Sequence, residues 1–320
     1  MEGTSPAAEP IRKTIVESRP HQFKEELNRS HFAFAHRLAG HPLFEVPRLI
    51  KLCERVKTKG AAVFQASAGS PRARPTEFKG EWDPEVLIGA LPSEKTRLRL
   101  SGVQEHDDEY RSLHQQILEE VDRLSGFALG REIGWSSMTI LLSSPAMITP
   151  YHIDHQSNLL FQMHGQKNIY IFDPRDRQVL SAATIERYYG GDKHAADYRE
   201  ELQGEAVDYE MSPGTAVHNP SLGPHWVRNG NEVSVSMSIN YSLRESEGGA
   251  RMYQVNRYLR KLGLKPAPPG KSPLRDWIIR EALRPLAPAR PRSLEELLQS
   301  GPVRLFRPMA SLGRLWRGVR

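Results

Sequence analysis

The sequence has a single cysteine among 320 residues, Cys53, so no disulfide can form within the chain. That excludes the stapled secreted scaffolds and fits a reducing compartment. No apolar run is long enough to span a bilayer, and the opening MEGTSPAAEPIRK lacks the apolar stretch of a secretory leader. The expected location is the cytoplasm. No internal repeat is visible, and no carboxylate stands at ligand spacing beside His31, His36 or His41, which are expected to have structural or surface roles.

What is present is length, and a skewed charge. A chain of this size forms one large or two ordinary domains around a core that needs no covalent support. The net charge of +6 divides unevenly: from Arg251 to Arg320 there are 16 Lys and Arg against 4 Asp and Glu, and the rest of the chain is acidic. Such a basic tail offers three partners: nucleic acid, an anionic membrane surface, or an acidic protein neighbour such as a second copy.

Periodicity divides the chain into four parts. Residues 1–20, small and charged, are expected to be disordered. Residues 21–130 form an α/β region that packs on the core. It has a short helix at Phe23–Asn28, strands at His31–Leu38, Ala61–Ala66 and Thr96–Val103, and a helix from Phe44 to Val56 that buries Cys53. A third helix, Asp107–Leu124, turns Tyr110, Leu113, Ile117, Val121 and Leu124 inward. The HDDE run that opens it reads as acidic first-turn charge that favours the helix macrodipole rather than as a metal site. Ser67–Pro75, rich in Gly and Pro, reads as a mobile loop.

Residues 131–245 carry eight expected strands: Trp135–Leu142, Thr149–Asp154, Asn158–Met163, Lys167–Phe172, Ala206–Met211, Thr215–His218, His225–Val227 and Val233–Tyr241. Eight is the strand count of a double-stranded β-helix, or jelly roll. The third and fourth of them, joined at His164-Gly165-Gln166, read as a hairpin. An insert between the fourth and fifth strands is helical over Ser181–Tyr188, and Tyr188, Tyr189 and His194 are candidates for substrate contact. Residues 246–320 form a basic helical extension, with helices over Arg251–Leu262 and from Ser272-Pro273, a capping box at Ser293 and Glu296, and an apolar, arginine-rich end.

The chemistry is concentrated between Thr149 and Pro174. His152 and Asp154, two apart on an extended strand, present an imidazole and a carboxylate on one side. They are two corners of a 2-His-1-carboxylate set, which holds Fe(II) and leaves positions open. His225, after the Gly223-Pro224 corner and 73 residues beyond His152, is the candidate third ligand. Alternation places Lys167 with Ile169 and Ile171 on one strand face, and Asn158 with Leu160 and Gln162 on another. A lysine facing inward is costly to bury without a counter-charge, so it is expected to meet an anion. His218, at a strand end, is a candidate for the same cavity.

Thr149-Pro150-x-His152-x-Asp154, Asn158, Gly165-x-Lys167 and His225 together resemble the JmjC and cupin-like branch of the Fe(II)/2-oxoglutarate oxygenases. Within that branch the spacing is similar to that of the asparaginyl hydroxylase of hypoxia-inducible factor. The resemblance implies a cupin/JmjC-like jelly roll with flanking helices. It implies Fe(II) on His152, Asp154 and His225, and 2-oxoglutarate as cosubstrate on Lys167 and Thr149. Asn158 and Asn240 match positions that line the same pocket. A tyrosine that helps to hold the cosubstrate in that hydroxylase has no counterpart here.

The resemblance also implies a homodimer formed through the C-terminal helices. The expected function is hydroxylation of a protein or small-molecule substrate. The alternative is a non-catalytic cupin-like regulatory or binding protein that uses its basic tail for nucleic acid or a partner.

Overall fold

The computed structural model describes residues 14–66, 69–74, 76–78 and 81–283. Its first strands and helices are β1 (Val16–Glu17), α1 (Gln22–Glu26), β2 (Phe32–His36), α2 (Val46–Lys57), β3 (Ala62–Ala66), β4 (Thr76–Glu77), α3 (Pro84–Ala90) and β5 (Thr96–Ser101). Then come α4 (Val103–His106), α5 (Asp108–Ser125), α6 (Leu129–Glu132), β6 (Ile133–Ser143), β7 (Ile148–His152), β8 (Ser157–His164) and β9 (Lys167–Ile171). The chain continues through α7 (Ala182–Tyr189), β10 (Val207–Met211), β11 (Thr215–Asn219), β12 (His225–Asn229) and β13 (Ser234–Leu243) into α8 (Arg244–Lys261) and α9 (Pro273–Leu283). β6 to β13 are the eight strands expected from the alternation, in the same order.

The strands form two antiparallel sheets, one ordered β1-β2-β11-β8-β13-β6-β5-β3-β4 and the other β10-β9-β12-β7. This is the cupin-like jelly roll with flanking helices. Strict alternation decides which face of the large sheet goes where. Met138, Ile140 and Leu142 of β6, Leu159, Phe161 and Met163 of β8, and Val235, Met237 and Ile239 of β13 are buried beneath α2 and α5, with Leu49, Leu52, Cys53, Ile117 and Val121. The intervening positions face the small sheet and are smaller and more polar. Among them Gln162 is satisfied by Ser234 and Ser236: its amide donates to Ser234 Oγ at 3.0 Å and its carbonyl accepts from Ser236 at 2.7 Å. A second apolar layer, Leu160, Ile169, Ile171, Met211, Val217 and Val227, closes the two sheets together.

Four expectations are corrected. β8 and β9 are not a hairpin: β8 pairs with β11 and β13, whereas β9 pairs with β10 and β12 in the other sheet. Gly165, at φ 68°, makes the crossing, and the carbonyl of Val233 lies where its side chain would be. Residues 14–20 are not loose, since β1 pairs with β2 and the Ile15 and Val16 amides both donate to the buried Glu120 carboxylate at 2.8 Å. Leu124 stays 38% exposed, because the buried stripe of α5 runs from Val121 to Ser125, one turn on, and Leu124 falls beside it.

The last correction concerns His218. It points away from the cavity, with Nδ1 at 2.9 Å from the Asn158 carbonyl and Nε2 accepting from the Asn28 amide. Asp107 caps α5 and also binds Arg48 and Arg55. The capping box at Ser293 and Glu296 and the final arginine-rich segment lie outside the described residues.

Candidate metal and anion site

β7, β12 and β9 lie side by side in the small sheet, and this brings the separated motif residues together. Register pairs His225 directly with His152, and an irregularity between His225 and Val227 re-aims the histidine. Asp154 lies just beyond the end of β7, where the turn is held by the Leu222 amide donating to the Asp154 carbonyl. One ligand atom from each of His152, Asp154 and His225 lies within 4.8 Å of the others, the arrangement a single metal ion needs. The imidazole rings are 4.1 Å apart between centroids, and His152 Nε2 is 3.5 Å from Asp154 Oδ2.

Both imidazoles are oriented by the backbone. His152 Nδ1 is 2.8 Å from the Pro150 carbonyl and His225 Nδ1 is 3.0 Å from that of Gly223. A carbonyl only accepts, so each proton sits on Nδ1 and each Nε2 is left with a lone pair for a metal. Burial opposes charge on both rings. On His152 the neighbouring Asp154 outweighs it and raises the pKa, while His225 is held down to about 4 by burial and by His152. Burial likewise works against the Asp154 carboxylate, but the two histidines and Arg99 keep it ionised, with a pKa of about 2.

The three residues stand in a cavity of about 910 Å³ between the sheets. Lys167 lines its far wall, 5% exposed, and makes no hydrogen bond or ion pair among the described residues. Burial, helped by repulsion from Arg97, pushes its ammonium down to about 7. Thr149 faces the same end, two strands away in the sheet. Its hydroxyl oxygen accepts from Arg97 Nη1 at 3.0 Å, which leaves the hydroxyl proton free to point at a guest. Asn158 and Asn240 line the cavity on the large sheet, joined by a 2.7 Å hydrogen bond. Tyr188 and His194 reach the cavity wall, whereas Tyr189 is buried outside it against His155.

Two residues went unread. Arg97 and Arg99 project from β5 into the cavity, with Arg97 also held by Gln65 Oε1 at 3.2 Å from its Nε. Their signal was the alternation in Thr-Arg-Leu-Arg-Leu-Ser, which reads as a strand with a wet face. β5 is interior to the sheet, and that face is the cavity lining.

A family model described as the cupin-like domain matches residues 93–247. No curated protein matches the sequence. Among solved structures, Escherichia coli ycfD is 13% identical with a TM-score of 0.51, over 84% of this chain and 67% of that one. A structure described as the E. coli ribosomal oxygenase YcfD gives 13% and 0.48, over 84% and 66%, and a complex of YcfD with cobalt and 2-oxoglutarate gives 13% and 0.45, over 77% and 57%. This chain therefore spans about two thirds or less of the length of those structures, and the likeness is one of fold. The findings bear on the cupin-like fold and not on the asparaginyl hydroxylase in particular. From β5 to the start of α8, residues 93–247 are similar to the cupin-like domain, and the jelly roll is that of this fold.

Proposed function

We propose that this protein is an Fe(II)- and 2-oxoglutarate-dependent oxygenase that hydroxylates a protein or small-molecule substrate. The observation that carries the reading is Lys167: a buried ammonium with no partner among the described residues, set in one cavity with a His-Asp-His cluster. A buried charge left alone is unstable, so the site is built for an anion, and the neighbouring donor set is built for a divalent metal.

Fe(II) would be held by Nε2 of His152, the Asp154 carboxylate and Nε2 of His225. Bound with 2-oxoglutarate, it supplies oxidative decarboxylation of the cosubstrate coupled to hydroxylation of a C–H bond. The chain's own work is placement. The carbonyls of Pro150 and Gly223 fix the two imidazoles, which limits the loss of ligand geometry when a metal is exchanged. Lys167 neutralises a terminal carboxylate of the cosubstrate, and Thr149 donates its hydroxyl proton to the same group while Arg97 holds the hydroxyl oxygen. Asn158 and Asn240, tied to each other, form a polar wall that can orient a guest. The apolar layer around Ile169 and Val227 limits water at the reacting centre.

The test is succinate production from 2-oxoglutarate by anaerobically purified, iron-loaded protein after exposure to oxygen. Wild type should turn over slowly without a prime substrate, and His152→Ala and Asp154→Ala should abolish turnover while keeping the circular dichroism of the fold. Absence of both turnover and 2-oxoglutarate binding in the wild type would leave a non-catalytic cupin-like binding protein as the better reading.

A further inference from the structure

The cavity holds more positive charge than an iron and a cosubstrate would use. Six cationic side chains line it, Arg72, Arg74, Arg97, Arg99, Lys167 and Lys193, against the carboxylates of Glu77, Asp154 and Asp197. Fe(II) and a 2-oxoglutarate dianion cancel each other, so loading both leaves the excess in place. Arg72 is drawn outward by Glu200 at 3.3 Å, and the balance stays positive without it.

Arg99 is where that excess has no assignment. It follows Arg97 by two residues, so the two side chains leave the same face of β5 about 7 Å apart. Leu98 and Leu100, on the other face, are fully buried under the helices. Arg97 is engaged by Gln65 and Thr149, and so belongs to the Lys167 end of the cavity. Arg99 makes no hydrogen bond or ion pair among the described residues, and its Nε is buried without an acceptor. Strand register sets Arg97 beside Ser143 and Ser234 and Arg99 beside Leu141 and Ser236, one step closer along β13 to Asn240, whose partner Asn158 lies beside the Asn219 that contacts His225, so Arg99 is the nearer of the two to the histidine cluster. A buried guanidinium N–H without an acceptor is costly, and a carboxylate or phosphate oxygen is the acceptor its fork fits best.

We propose that the prime substrate is anionic and that Arg99 binds its carboxylate or phosphate group, a second anion subsite distinct from that of Lys167. This rests on the oxygenase reading above. A substrate presenting a lysine or arginine side chain would meet Arg99 and the surrounding excess of cations, and the site disfavours it. The segment carrying Arg74 is held over the cavity by the Tyr151 amide, which donates to the Pro71 carbonyl at 2.9 Å, so an entering anion passes a further cation.

The experiment uses the full chain loaded with Mn(II), which is paramagnetic and does not turn over. Cosubstrate binding is read first, by the change in water proton relaxation as 2-oxoglutarate is added. Inorganic phosphate is then titrated at saturating 2-oxoglutarate and its ³¹P relaxation followed. Wild type should show saturable paramagnetic relaxation of phosphate. In Arg99→Gln phosphate affinity should fall by about tenfold or more while 2-oxoglutarate affinity stays within about twofold, which also shows the variant folded. Arg99→Lys should recover part of the phosphate affinity. Phosphate relaxation unchanged in Arg99→Gln, or a parallel fall in 2-oxoglutarate affinity, overturns the assignment. Failure of 2-oxoglutarate to bind wild type counts against the oxygenase reading, whereas bound 2-oxoglutarate with no phosphate effect counts against the second subsite alone.

Discussion

Replacing Lys167 by Met should make the empty protein more stable and the site useless. The Lys167 ammonium is buried, has no partner among the described residues, and is pushed from 10.5 to about 7. Each unit is worth about 1.36 kcal/mol, so well below pH 7 the folded chain gives up about 5 kcal/mol to keep this lysine. The sign follows from linkage. With the folded pKa below the unfolded one, the unfolded chain binds more protons between about pH 7 and 10.5, and wild-type stability rises with pH across that window. At pH 9 the penalty is down to about 2 kcal/mol. Met fills similar volume without charge, so the variant should lack this rise.

The assay is urea denaturation of metal-free protein at pH 7 and pH 9, wild type against Lys167→Met, followed by 2-oxoglutarate titration of the Mn(II) forms. The variant should unfold at higher urea at pH 7, with the gap narrowing at pH 9, and should lose about a hundredfold in 2-oxoglutarate affinity, the value of a charge-assisted contact in a buried site. A variant no more stable than wild type at pH 7, or one that binds 2-oxoglutarate equally well, would refute the account of Lys167 as an ammonium waiting for an anion.

Three further outcomes are expected. Because Lys167 is neutral above about pH 7 in the empty site, 2-oxoglutarate binding there should take up close to one proton and weaken as pH rises; calorimetry in two buffers of different ionisation enthalpy reads the uptake. Asp107→Ala should cost about 3 kcal/mol at neutral pH by denaturant titration, since Asp107 is buried between Arg48 and Arg55 and caps α5. Gly165→Ala should lower the melting temperature by several degrees, about 1–3 kcal/mol, because its φ of 68° and the Val233 carbonyl leave no room for a methyl group; an unchanged melting temperature would remove the crossing from the account.

The eight strands were legible because they alternate between apolar and polar positions, as Ser234 to Tyr241 does, or form a short apolar run bounded by turn residues, as Leu159 to Met163 does. The cluster of His152, Asp154 and His225 was legible because two ligands are local and the third announces its strand with Gly-Pro. Pairing was less so. Nothing local in Leu159 to Phe172 shows that the two strands part into different sheets, since that choice depends on β13 and β12 arriving from elsewhere. The arginines of β5 were hidden for the same reason: an Arg-x-Arg face reads as solvated until its neighbours are known. His218 was misplaced because two buried faces of one sheet carry the same alternation, and contacts with Asn28 and Phe32, far off in the sequence, tell them apart. The pairing of residues 16–17 depends on Glu120, a partner over a hundred residues away.

The central position of β13 sets the order in which the protein can be assembled as it is made. β6 and β8, synthesised early, never pair with each other; the gap between them is filled by a strand that emerges last of the thirteen. Until residue 243 is available the large sheet is two half-sheets, each with a bare edge carrying Met138, Ile140 and Leu142 or Leu159, Phe161 and Met163. Such edges invite pairing with another nascent chain. The growing polypeptide thus carries an aggregation hazard that ends only when its final strand slots home, and a message cut short before that strand would yield an adhesive product rather than a smaller working one.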